Sequence, residues 1–198
     1  LFTRVAEDGA YIRAAIGPLS LIPTIASVVL ALVSLVINAG AHQPPQWQLF
    51  LAIAVIGIFD TLAGFLGTLV FVIGSLIMGA GSDINDVRML LGVVIVGYGP
   101  ALLANAFRAF RKVPEENGVY IWERVVDLAV LPFIGGWVTS SMIATLPALA
   151  GTTLAVANHV TDFSLAVAVA ITLRVIAEEG SARMFPDRLN YLHPTQVS

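Results

Sequence analysis

Long apolar runs, separated by short polar or proline-rich breaks, organise this chain. The first, PLSLIPTIASVVLALVSLVINAG, extends from Pro18 to Gly40. It predicts one helix able to cross a hydrocarbon layer about 30 Å thick. Pro18 and Pro23 lie near its start, where a missing N–H is tolerated. Pro44-Pro45 ends it, and Trp47 suits the headgroup level that follows. Later runs predict spans over roughly 88–107, 132–150 and 152–173.

The run from Leu49 to Gly81 is interrupted only by Asp60. As a single helix it would be about 50 Å long and would have to tilt or protrude. Gly57, Gly64, Gly67, Gly74 and Gly81 would then form one small-residue seam for close helix packing. As two helices, Asp60 would be the N-cap of a helix starting at Thr61, and Trp47–Phe59 would be a short or re-entrant pass. IFDTL is a poor turn sequence, which favours the single helix. The expected fold is all-α and polytopic, with five main spans, or six if Leu49–Gly81 is a hairpin.

Two segments add detail. Gly97-Tyr98-Gly99-Pro100 should bend or locally unwind its helix. In VYIWERVVDLAVLP, Tyr120, Glu123, Arg124 and Asp127 recur at i, i+3, i+4 and i+7, a polar stripe on an apolar helix. That pattern predicts an interfacial helix over 118–131 that leads into the span at Pro132. Residues 181–198 read as a polar tail.

One phrase recurs. LFTRVAEDGAYI at the start is echoed by AFRKVPEENGVYI beyond the middle. Phe2 aligns with Phe110, Val5 with Val113 and Glu7 with Glu115. After one inserted residue, Gly9 aligns with Gly118, Tyr11 with Tyr120, Leu19 with Leu128 and Pro23 with Pro132. A third echo, RVIAEEG, spans Arg174 to Gly180. We take this as an internal duplication, with repeats over 1–112 and 113–180. Physically the phrase is an elbow between spans. Its cation stays with headgroups, its acidic pair in water, and Tyr at the interface. Were both elbows on one side, an even number of crossings would separate them; one long helix at Leu49–Gly81 makes the number odd and the halves inverted.

Composition strengthens the membrane assignment. Of 198 residues, 58% are hydrophobic and 12% charged, where soluble domains carry about 25% charged. Mean hydropathy is +0.89. The bilayer is therefore the first expected partner. Net charge is −3, with no basic tract for nucleic acid, and there is no cysteine for a disulfide or thiolate site. Arg108, Arg111 and Lys112 place the elbow at 108–124 in the cytoplasm, together with the C-terminal tail, of a plasma or inner membrane. The first residue is not Met, so residue 1 is not expected to be the biological start: either processing or a longer parent protein would account for it.

Candidate chemistry is sparse. Asp60, a carboxylate amid apolar residues, is the leading intramembrane polar site, with N-capping as its structural alternative. Tyr98 in the Gly-Tyr-Gly-Pro stretch and Asp127 on the stripe join it as residues that could line a transport path. Arg174 is expected to snorkel to the surface from the third elbow. His42, His159 and His193 lie on separate loops; His159 and Asp162 could share a helix turn but make a poor metal site alone. No clustered acid, base or nucleophile points to an enzyme, and no cofactor motif is present. Two functions fit: a non-catalytic membrane domain packed against other subunits or itself, or a small-solute or ion transporter or channel using Asp60 and the Gly97–Pro100 break.

Overall fold

A computed structural model describes residues 9–37, 46–108, 121–150, 155–185 and 187. Every regular element among them is helical. Helix α1 (Ala10–Ile16) is a short elbow, and a 3-10 turn over Gly17–Leu21 joins it to α2 (Ile22–Ile37). Then come α3 (Trp47–Phe59), α4 (Thr61–Ile77) and α5 (Ile84–Arg108). Helix α6 (Ile121–Val125) continues through a π-helical stretch, Val126–Val130, into α7 (Leu131–Ala150). A 3-10 turn, Ala155–His159, precedes α8 (Val160–Met184).

Among the described residues, four helical segments are long and apolar enough to cross a membrane: Leu19–Ile37, Ile84–Arg108, Ile121–Thr145 and Ala155–Met184. Helices α3 and α4 are apolar but shorter, about 20 and 25 Å at the helical rise.

The run Leu49–Gly81 is thus two helices, not the single long one favoured above. Asp60 takes an extended conformation (φ −138°, ψ 101°), and its side chain accepts from the amides of Leu62 and Ala63. The chain reverses there. Gly57 and Gly64 meet across the turn, and a Cβ on Gly64 would fall within van der Waals contact of the Gly57 Cα. Gly97 of α5 touches both Phe50 of α3 and Thr68 of α4, so both arms of the hairpin lie against one helix.

Neighbouring contacts fix the direction of each helix. Ser27 faces Gly67 and Leu35 faces Gly74, so α2 and α4 run the same way. Trp47 stacks on His159, Phe50 meets Phe163 and Ile58 meets Arg174, so α3 and α8 run together in the opposite sense. Phe107 faces Gly135 and Gly99 faces Met142, which sets α7 antiparallel to α5. Elbow α1, the Asp60 turn, Arg108, Arg124 and Arg183 therefore share one end of the bundle. Asp83, Asp86 and Arg88 mark the other end, around the start of α5.

Helix α3 is central, touching α2, α4, α5 and α8. Phe50, Ile53, Ala54, Gly57 and Ile58 form its buried face, and most of the remaining residues are apolar and half-buried. Phe50, Ile53 and Ile58 pack with Val93, Val96, Ile143, Phe163 and Val167 in one core. The outer surface is also apolar: Phe133 is 72% exposed and Trp137 64%.

Three further segments are continuous helix. Gly97–Pro100 is not locally unwound: α5 runs on through Pro100, which is fully buried. Helix α6 leads without a break into α7, the chain staying helical from Ile121 through Pro132. The last helix runs to Met184, beyond the span limit predicted at 173.

Candidate functional site

A helix that stops inside a protein leaves its last carbonyls without intrahelical partners. At the end of α3 these include Ile58 O and Phe59 O. Each finds a donor from far away in the chain. The Tyr11 hydroxyl donates to Phe59 O at 2.6 Å. Arg174 donates from Nη1 to Ile58 O at 2.6 Å and from Nε to Glu178 Oε1 at 2.9 Å. Across the break, Asp60 Oδ1 accepts from Leu62 N at 3.1 Å and Ala63 N at 3.3 Å, capping α4. Elbow, hairpin turn and last helix therefore meet at one polar node inside an apolar body.

The node is well buried. Asp60 is 8% exposed, Tyr11 5% and Arg174 2%. Arg174 does not snorkel, contrary to expectation: its guanidinium is held by a carbonyl and a carboxylate one turn along α8. Gly9 explains how the elbow gets so close. It has φ +81°, and a Cβ there would lie 3.0 Å from the Asp60 carboxyl carbon. Only glycine adopts that conformation readily, and only glycine leaves room for the carboxylate.

The other predicted residues fall elsewhere. Tyr98 is half-buried, its ring edge-on to Phe65 at 5.5 Å. Asp127 is half-buried in the π-helical stretch, whose Leu128 carbonyl accepts from Thr172 Oγ1 at 3.5 Å. Of its stripe, Arg124 pairs with Glu179 at 3.5 Å; Tyr120 lies outside the described residues. The proposed glycine seam is split. Gly57 and Gly64 pack on each other across the turn, whereas Gly67 and Gly74 receive Ser27 and Leu35 of α2. Ser27, Ser34 and Thr68 near these glycines bury hydroxyls without a hydrogen-bond partner, a rarity in packed interiors.

His159 stacks on Trp47 with ring centroids 4.2 Å apart, and its Nδ1 lies 3.4 Å from Asp162 Oδ2. No group of three or more metal-ligating side chains occurs among the described residues; His42 and His193 lie outside them. Beside the node a largely apolar cavity of about 470 Å³ lies between the elbow (Tyr11, Ile12, Ile16), the end of α3 (Val55, Phe59) and Ala177 of α8.

Tyr11 and Arg174 were the partners that sequence reasoning missed. The signal for Arg174 was its position beside an apolar run; for Tyr11 it was the repeated phrase itself. No protein-family model, curated protein or solved structure matched this chain.

Proposed function

We propose that this chain is a non-catalytic, multi-pass membrane domain that serves as a subunit or anchor in a larger membrane assembly. The observation that carries this is the node. Tyr11 and Arg174 are turned onto the backbone of the hairpin and Asp60 caps its second arm. These polar side chains contribute to holding helices in place, as the small-residue contacts do. The apolar outer faces of α2, α7 and α8 suit lipid or partner helices as solvent.

With lipid around the bundle, the end carrying Arg108, Arg124 and Arg183 faces the cytoplasm. The hairpin then enters and returns to the same side beside the four long helices, its arms of about 20 and 25 Å falling short of a layer about 30 Å thick, so the parity of crossings stays even. Both elbows lie on one side and their repeats run in parallel, not inverted. The proposed duplication gains support from local irregularities. Aligned as Gly9 with Gly118, the 3-10 turn Gly17–Leu21 falls on the π-helical stretch Val126–Val130, and α2 and α7 both start one residue before the matched Pro23 and Pro132.

Purification under mild detergent tests the assembly: the chain should elute with partner subunits or as a defined oligomer, and a stable lone monomer overturns it. A second proposal, a transporter or channel, draws on one specific feature. A broken helix with a buried carboxylate is a common way to build an ion site in transporters. Flux of an ion or small solute in liposomes, abolished by Asp60→Asn, would establish that role instead.

A further inference from the structure

We propose that the end of α3 is a monovalent-cation site whose permanent occupant is the guanidinium of Arg174. The C-terminus of a helix carries partial negative charge, from carbonyls that lack intrahelical partners. In broken-helix transporters such ends, with unwound carbonyls, hold a free cation. Here the same elements converge. Ile58 O and Glu178 Oε1 both contact the guanidinium, at 2.6 and 2.9 Å. Asp60, two residues beyond Ile58, adds a buried carboxylate to the break, where it caps α4.

The choice of arginine follows from the chemistry of the site. A compact ammonium or a small metal ion loses strong hydration on burial, whereas a guanidinium is weakly hydrated and planar. Its Nε and Nη1 point in separate directions, one to the carboxylate and one to the carbonyl. The cation is attached to α8, so it cannot leave, and it fastens α8 to the hairpin. This goes beyond the assembly proposal and stands on the node geometry alone. It holds or fails whether or not the chain spans a bilayer.

The test asks whether positive charge or merely a hydrogen-bond donor is required. Arg174→Gln keeps a long side chain with N–H donors but no charge; Arg174→Lys keeps the charge without the fork. Folded, monodisperse yield of the full chain in detergent should fall about ten-fold or more for Arg174→Gln, because Glu178 loses its ion-pair partner and Ile58 O its charged donor. Arg174→Lys keeps the charge, though on a strongly hydrated ammonium, and should lose clearly less yield than Arg174→Gln. Arg174→Ala should regain thermal stability in millimolar guanidinium, with equal urea or tetramethylammonium inactive and the parent chain unmoved. A glutamine variant at least as well folded as the lysine variant, or a folded alanine variant indifferent to guanidinium, overturns the proposal.

Discussion

Arg174 and Ile58 are 116 positions apart, yet the guanidinium of one donates to the backbone carbonyl of the other at 2.6 Å. At the next carbonyl, Tyr11 reaches forward 48 positions to Phe59 O. The end of α3 is therefore capped from both the first and the last described helix. A hairpin whose turn depends on remote donors is not a unit that forms by itself: the hairpin, elbow and last helix stabilise one another. That dependence yields separate, checkable consequences.

Tyr11→Phe removes one hydroxyl and leaves the ring. The Phe59 carbonyl then stays buried without its donor, which should destabilise the fold by about 1–3 kcal/mol. Thermal unfolding in detergent should show a lower midpoint, and limited proteolysis should cut first within the elbow, residues 10–16. Trp122→Ala, at a side chain 78% exposed, is the control and should leave both readouts unchanged.

Asp60 separates capping from transport. Asn caps helices about as well as Asp, whereas Ala forfeits about 0.5–2 kcal/mol. Asp60→Asn should therefore fold nearly as the parent and Asp60→Ala should be measurably less stable. A folded Asp60→Asn protein that retains its function in cells fits a structural carboxylate. One that folds but loses flux assigns the charge to transport.

The contrast between these two residues shows what local patterns convey. Asp60 was legible as an N-cap from its place before an apolar run, since capping needs only the next three residues. The hairpin was legible only as the second reading, because IFDTL holds neither glycine nor proline to turn the chain. Its stability comes from Tyr11 and Arg174, and no windowed pattern can see them. Helix content was readable, because it needs only apolar periodicity and breakers. Whether Gly97–Pro100 would unwind was not, because that depends on neighbours such as Phe50 and Met142, which lie close to Gly97 and Gly99.

Glycines in this bundle should divide by what a methyl group would meet. Gly64→Ala pushes a Cβ into the backbone of Gly57, which cannot move without opening the hairpin. We expect a loss of about 1–3 kcal/mol, as for overpacked cores. Gly99→Ala meets only Met142 Sδ at 3.5 Å, an ordinary contact. There the better helix propensity of alanine, up to about 1 kcal/mol, should offset any crowding. Denaturation midpoints for the pair check this, and equal loss at both sites would contradict the close approach of α3 and α4.

The path of the chain can be read chemically because its 198 residues contain no cysteine. Single cysteines at Ser82, Asn158 and Ala182, all exposed, then report their own side without background. Ser82 precedes α5 and Asn158 precedes α8, at the end of the bundle away from the node; Ala182 lies in the last turn of α8, on the node side. In intact cells an impermeant maleimide should label Ser82→Cys and Asn158→Cys and spare Ala182→Cys until the membrane is opened. The hairpin is what makes this pattern informative. Its two arms, α3 and α4, keep the elbow at Gly9 on the same side as Ala182, whereas one long helix would put them on opposite sides. A cysteine at Ala15, exposed on the elbow, labelled together with Ser82 would therefore refute the two-armed passage through the bilayer, and one protected together with Ala182 until the membrane is opened would support it.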